Sequence, residues 1–306
     1  MSGTLQAAVV RVPGSTSNLG SGFDTIGLAL DRHLVASFEP DASGGLRVER
    51  TGTLTRLASF PGPDLVAETF RTAVAATGVE ASGSLRLHST IPVIRGFGSS
   101  AAAMLAGIDL ARAALGRERD DEAAFAAVYR AEGHGDNAAP CLYGGLRAVV
   151  PGRGGPKVIQ LDLSEAVGFA YAAPAEALAT AAARAALPYT VTHTKAVSAL
   201  GRVTALVTGL ARGDRSLIRI GVEDELHVPH RLPLILGGAE AVAAGYEAGA
   251  WGVTISGAGS GLLALCEPEA AAEVAAAMKD AFGGDRDDPE RIGFAVRPDF
   301  LGLQRS

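Results

Sequence analysis

The sequence predicts an α+β protein built as two halves with a binding cleft between them. Three observations predict it. A strand-like run, Ser84 to Thr90, delivers the chain into a glycine loop, PVIRGFGSSAAAMLA (Pro92 to Ala106), that opens at once into an alanine-rich helix. The chain before the loop reads as mostly β and the chain after it as helical, so the first sheet is expected to be largely antiparallel and not doubly wound. Past the Gly- and Pro-rich PGRGGP, strand and helix patterns alternate again, which suits helices on one face of an antiparallel sheet. That joint puts the boundary between residues 155 and 166, giving halves 1–160 and 161–306.

The elements come in this order. A β-rich run, Leu5 to Val12, ends in Pro13-Gly14. The turn-rich STSNLGSGFD comes next, with Asn18 and Asp24, before an apolar run from Ile26 to Leu30. Strands are expected at Leu34 to Phe38 and Leu46 to Thr51, and a helix near Leu65 to Thr77. Leu85, Leu87 and Ser89 alternate with Arg86, His88 and Thr90, as on a half-exposed strand. A helix spans Asp121 to Glu132, and a strand runs from Gly145 to Val150. In the second half, β segments are expected at Gly168 to Ala173, Gly252 to Ser256, Leu262 to Cys266 and Ile292 to Val296. Helices are expected at Ala175 to Leu187, Thr194 to Arg212, Ala239 to Glu247 and Pro268 to Phe282.

Composition narrows the function. With 306 residues, 48% hydrophobic and 20% charged, the chain has ample core and no disordered character. A net charge of -6 argues against nucleic acid or an anionic membrane as partner, since those need clustered Lys and Arg. Cys141 and Cys266 show no metal spacing, which fits a reducing cytoplasm. The amino terminus, MSGTLQAAVVRVPGS, lacks a basic segment followed by a long apolar run, so no secretion signal is expected. No apolar stretch approaches the roughly 20 residues of a membrane span.

The glycine loop carries the first chemistry. Gly96 and Gly98 let the backbone turn sharply and admit a bulky anion, and the first N–H groups of the next helix, with its positive dipole end, point at that anion. Phosphate is the natural guest. Ser99 is placed to cap the helix, and Ser100 can turn its hydroxyl toward a phosphate or a magnesium ion. The loop lacks the lysine of GxxxxGK[ST], and Ala101 stands where GxGxxG needs its third glycine. Taken alone, it also fits an ordinary turn.

Glu132 falls on the apolar face of its helix with Phe125 and Val128, and at the C-terminal end, where the dipole disfavours a carboxylate. Either it lies in a frayed, solvated last turn, or it is buried and waits for a cation such as magnesium on ATP. His134, Asp136 and Asn137 come directly after it within EGHGDNAAPCLYGGL and suggest a lined pocket.

Here the chain resembles the homoserine kinase family of the GHMP kinase superfamily. PVIRGFGSSAA matches PxxxGLGSSAA with Phe97 in the leucine position. VPGSTSNLGSGFDTIGLAL matches VPxxxxNLGxGFDxxGLAL, and EGHGDNAAPCLYGG matches EGHxDNxAPxxxGG. TAAARAALP (Thr180 to Pro188) and DELHVPHR (Asp224 to Arg231) match TxxARxxLP and DxLHxPxR. The resemblance implies a two-domain GHMP kinase fold with a first half like ribosomal protein S5 domain 2 and a ferredoxin-like second half. It also implies ATP- and magnesium-dependent phosphorylation of the L-homoserine hydroxyl, a step of threonine biosynthesis, often in homodimers.

Residue by residue, the resemblance implies that the loop from Pro92 through Val93, Ile94, Arg95, Gly96, Phe97, Gly98, Ser99, Ser100 and Ala101 to Ala102 cradles the phosphates through backbone N–H groups. Ser100 and Glu132 then hold magnesium. Asn18, Asp24 and Asp136 surround the substrate ammonium and hydroxyl, with His134 and Asn137 shaping the same pocket. Thr180 and Arg184 share a helix face, and Arg184 and Arg231 grip the carboxylate with their planar forks. Asp24 and Asn137 are the catalytic residues the resemblance implies, with Asp24 the one candidate base, although such a transfer needs positioning more than a base. The chain departs from the family pattern at Ser260-Gly261, for Pro-Thr or Pro-Ser, at Ser21, for proline, and at Val228 and His230, for Gln and Tyr. A kinase for another small alcohol and a non-catalytic ATP sensor of the same fold remain alternatives.

Overall fold

The computed structural model describes residues 5–42, 44–59, 62, 64–285 and 287–306; the first four residues of MSGTLQAAVVRVPGS, where no secretion signal is expected, lie outside these. The first sheet is organised by the hairpin of β1 (Ala8–Asn18) and β2 (Gly22–Pro40). β1 does not stop at Pro13-Gly14, as expected from sequence. It continues to Asn18 through a register shift at that dipeptide, where a proline without an N–H is tolerated. The two apolar runs predicted on either side of residue 32 are one 19-residue strand, β2, because its two ends have different partners. Its beginning pairs with β5 (Leu146–Val150) and its end with β4 (Gly83–Ser89), all antiparallel. β3 (Leu46–Gly52) adds to β4 in parallel, and β6 (Lys157–Leu161) adds to β5 antiparallel.

Helices cover this sheet. α1 (Leu65–Ala75) is capped by Asp64, whose Oδ1 accepts from the Ala67 N–H at 2.9 Å, and packs on α2 (Ser99–Ala114). α3 (Asp121–Glu132) has the predicted bounds, and α4 (Ala138–Tyr143) rises from the segment read as loop. Ile26, Leu28, Leu30, Phe38, Leu85 and Leu87 bury their side chains with Phe70, Leu105 and Leu110 in the core beneath.

The second sheet holds β7 (Gly168–Ala173), β8 (Gly252–Ile255), β9 (Leu262–Cys266) and β10 (Ile292–Val296) in the order β10-β7-β9-β8, all antiparallel. Between β7 and β8 come α5 (Thr180–Ala185), α6 (His193–Arg212), α7 (Arg215–Val222), α8 (Val228–Arg231) and α9 (Gly238–Glu247); α10 (Ala271–Ala281) joins β9 to β10. This is the ferredoxin-like βαββαβ order. α5 is shorter than the helix expected from Ala175, and α7 and α8 were not foreseen.

Both faces of this sheet are buried, not one. Ala170, Ala172, Leu262 and Ala264 pack with Val274, Met278 and Ala241 beneath α9 and α10. Phe169, Tyr171, Leu263 and Leu265 turn the other way and join the core of the first half, with Leu206, Leu210, Ile218 and Val222. Alternation along each strand explains the division. The chain end returns to the first sheet, where β11 (Gln304–Arg305) pairs with β1. Among the described residues no helix is long and apolar enough to cross a membrane.

Candidate active site

The glycine loop, the β1–β2 turn, the α3–α4 junction, α5 and the β8–β9 turn converge on a cleft of about 360 Å3 between the two sheets. The two loop glycines explain how the walls come so close. A Cβ on Gly96 (φ +71) would lie 1.9 Å from the Ser256 carbonyl oxygen, and one on Gly98 (φ +65) 2.1 Å from Ser15 Oγ. The Ser256 hydroxyl, within 2.7 Å of the Gly96 carbonyl, fixes the β8–β9 turn against the loop.

One sequence expectation is corrected at the helix start. Gly98, not Ser99, is the N-cap of α2, in the left-handed conformation and without a capping side chain. Its carbonyl accepts the Ala102 N–H at 3.0 Å, so Ser99 is already the first helical residue. The N–H groups of Ser99, Ser100 and Ala101 then have no acceptor within the helix, and they border the cleft. An uncapped helix start beside a cavity suits an anion.

Of the loop residues, Ile94, Gly96, Phe97, Gly98, Ser99, Ser100 and Ala101 line the cleft; Pro92, Val93, Arg95 and Ala102 do not. Arg95 turns its fully buried guanidinium away, donating to the carbonyls of Pro174, of Ala175 at 2.5 Å and of Glu290 at 2.9 Å. It anchors the loop to the second half from behind. Gly261 has a related task. A Cβ there would meet the Tyr171 hydroxyl at 2.2 Å, whereas the glycine lets that hydroxyl donate to the Arg95 carbonyl at 2.6 Å.

Glu132, at the end of α3, lines the cleft with Oε2 buried and, among the described residues, without a hydrogen-bond partner. Burial pushes its carboxyl above the usual range, while His134 and a hydrogen bond with Ser100 oppose the shift. An orphaned carboxylate oxygen beside a serine hydroxyl, at the mouth of a row of N–H donors, fits a hard divalent cation. His134 Nδ1 lies 2.5 Å from Asp136 Oδ1. Burial alone would lower its pKa, but Asp136 and Glu132 outweigh that and raise it.

Asp24 is bonded at both oxygens to Arg184, at 3.1 and 3.0 Å. Its backbone is left-handed (φ 50), and its N–H donates to Asn18 Oδ1 at 2.9 Å. Asn18 Nδ2 in turn donates to the Gly257 carbonyl at 2.6 Å. Thr180 and Arg184 both line the cleft from α5. Arg231 is 1% exposed, donates to the carbonyls of Ala183 and Gly257, and rests its guanidinium 5.1 Å from the Phe23 ring centroid. Burial, then the nearby Arg184, lowers its pKa. Asn137 accepts from Ser15 Oγ and donates to Ser17 Oγ, both at 3.0 Å, and so is held in place.

The sequence reading brought these residues together but missed others. Phe23 supports Arg231, and His227 stacks on Phe23 with ring centroids 4.9 Å apart. Burial drives His227 down to about 4, so it is a neutral support behind Phe23 at ordinary pH. Both residues sit inside quoted motifs, next to Asp24 and within DELHVPHR, which was the available signal. A second cavity of about 200 Å3 shares Ile94, Ser99 and Ser100 with the first. Leu54, Leu57, Leu65, Val66, Ile91 and Val93 give it an apolar lining.

Two sheets meeting over an uncapped glycine loop and a charged cleft define a kinase of the GHMP class. The family descriptions "GHMP kinases N terminal domain" and "GHMP kinases C terminal" match residues 64–145 and 206–284. Within that class the chain belongs to the homoserine kinase family. It is 37% identical over 306 residues to the homoserine kinase of Synechococcus sp. (strain CC9605), covering 98% of this chain and 95% of the relative. It is 38% identical over 282 residues to that of Synechococcus sp. (strain RCC307), covering 90% and 88%. The crystal structure of homoserine kinase from Cytophaga hutchinsonii superposes with a TM-score of 0.81 at 28% identity, covering 98% of both chains. L. major mevalonate kinase, at 15% identity and a TM-score of 0.71 over 97% of this chain and 99% of its own, shares the fold.

Proposed function

We propose that this chain transfers the γ-phosphoryl group of Mg-ATP to the side-chain hydroxyl of L-homoserine, giving O-phospho-L-homoserine and ADP by direct in-line displacement. The observation that carries the reading is that both charge signs face one cleft beside the anion-binding loop, Arg184 and Arg231 with Asp24 and Asp136. An α-amino acid needs both; a sugar or mevalonate does not.

Residues 1–160 hold the nucleotide on this reading, and 161–306 supply the arginines and the β8–β9 turn that backs the loop. The N–H groups of Ser99 to Ala101 receive the phosphates. The apolar second cavity, continuous with that loop, takes the adenine. Ser100 and Glu132 would hold magnesium, which supplies charge neutralisation on the phosphates when bound. Arg184 and Arg231 fix the substrate carboxylate; Asp24, Asp136 and Asn18 fix the ammonium and hydroxyl. His134 and Asn137 hold these groups in position, and Thr180 closes the wall. Asp24, paired with Arg184 until the substrate enters, then orients the acceptor through its ammonium, and the transfer needs no strong base. Catalysis is then positioning and charge stabilisation. A cytoplasmic location is supported by two buried, unpaired cysteines. The net charge of -6 supports the absence of a nucleic-acid partner; a homodimer rests only on the family resemblance.

ADP release tests the reading, with Mg-ATP and L-homoserine, D-homoserine, L-serine, L-threonine, mevalonate or galactose as acceptor. Turnover is expected with L-homoserine. Turnover confined to mevalonate or galactose would refute the substrate pocket, and ATP binding without any turnover would make the chain a sensor.

A further inference from the structure

The two groups assigned to opposite ends of the substrate are bonded to each other. Arg184 and Asp24 form a two-point pair at 3.1 and 3.0 Å, each about a third exposed on the cleft wall. The pair is built, not incidental. Asp24 is held in a left-handed conformation by Asn18, and Arg184 projects from α5 on the facing half. Close by on one side, ligand atoms of His134 and Asp136 lie within 4.8 Å of an Asp24 oxygen. On the other side the buried Arg231 reaches, among the described residues, backbone carbonyls and the Phe23 ring.

A ligand bearing both charges exchanges this one internal pair for two external ones. Its carboxylate takes the fork of Arg184, with Arg231 behind it, and its ammonium takes Asp24, with Asp136 beside it. A ligand bearing one charge must break the same pair and then compensates half of it. Either Asp24 or Arg184 is left without its partner in a cleft partly shielded from water, which is costly.

We propose that the Asp24–Arg184 pair is a specificity gate that a zwitterion opens and a singly charged alcohol does not. Rejection of single-charge acceptors then comes from splitting the pair as well as from missing contacts. The inference rests on the L-homoserine reading and adds to it the means of selection.

The test uses γ-hydroxybutyrate, which is homoserine without its ammonium, and n-propanolamine, which is homoserine without its carboxylate. Each is measured as a competitor of L-homoserine on the wild type, Asp24→Asn, Arg184→Gln and Asp136→Asn. In Asp24→Asn the affinity for L-homoserine is expected to fall by about tenfold or more, while that for γ-hydroxybutyrate rises by on the order of tenfold, because Arg184 no longer has to be freed. Asp136→Asn removes the same charge from the same cleft but not from Arg184, so its gain is expected to be several-fold smaller. Arg184→Gln gives the mirror result with n-propanolamine, and decides the matter if Asp24→Asn does not fold. Unchanged γ-hydroxybutyrate affinity in Asp24→Asn, or equal gains in Asp24→Asn and Asp136→Asn, would overturn the gate. Turnover of L-homoserine by the wild type separates that failure from failure of the substrate reading, which would remove the gate with it.

Discussion

Glu132 ends α3 with one carboxylate oxygen buried and, among the described residues, unpartnered, and on the proposed reading that oxygen is a ligand of magnesium. Glu132→Gln is expected to lower kcat on the order of a hundredfold, as when one charge-stabilising group is lost, and to shift the magnesium titration to higher concentration. Because burial raises the Glu132 pKa, acidification protonates it earlier than an exposed glutamate. Apparent magnesium affinity should therefore fall as pH falls, and Glu132→Gln should flatten that dependence. His134 works with the opposite sign. Its pKa lies above the ordinary 6.5, so its bond to Asp136 stabilises the fold fully below that value and loses its contribution as pH rises through the elevated one. Losing that proton also removes a positive charge from beside Asp136, which favours a substrate ammonium there, so KM for L-homoserine should fall over the same rise in pH. Melting curves and KM of the wild type against His134→Gln across pH check both. The misplaced Glu132 was legible in the sequence because it broke two local rules at once. The Asp24–Arg184 bond was not, since 160 residues separate the partners and both were assigned to ligand.

At the scale of elements, the glycine loop shows what a sequence pattern does and does not carry. Glycine followed by serine and alanine marked the start of α2, but the cap fell one residue early, because Gly98 adopts φ +65 and its carbonyl already accepts the first helical bond. Serine propensity at N-caps was overruled by that geometry. The helix α3 and the continuous apolar strands β7 and β9 were read with the observed bounds. Short ones were missed. α4 contains Pro140 and α8 contains Pro229, and β11 is two residues paired to the distant β1. The close approach at Gly96 yields a test. Gly96→Ala is expected to lower Tm by several degrees, reflecting about 1–3 kcal/mol of backbone strain plus the clash with the Ser256 carbonyl, and to weaken ATP binding. Gly44→Ala shares the positive φ, +77, but among the described residues meets nothing within 4 Å. It should cost less and leave ATP binding unchanged, so the difference between the two variants in melting and in ATP titration isolates the contact.

For the molecule as a whole, function depends on two sheets holding one cleft between them. Buried Arg95 is a principal tie, because it belongs to the glycine loop yet donates to the carbonyls of Pro174, Ala175 and Glu290 in the second half. Charged hydrogen bonds of this kind contribute about 1.5–3 kcal/mol each. Arg95→Met should therefore lower stability by several kcal/mol in denaturant melts and raise KM for ATP, although the side chain does not line the cleft. The two-half architecture was foreseen from the change in pattern after PGRGGP. The burial of both faces of the second sheet was not, because Phe169 and Tyr171 face a core that is far away in sequence. The most direct measurement of the central claim is phosphorus NMR of the product formed from Mg-ATP and L-homoserine. A new phosphomonoester coupled to the γ-methylene protons of homoserine, formed in step with ADP, is the predicted result. Phosphate released to water instead, or no new phosphoester while ATP is bound, would contradict it.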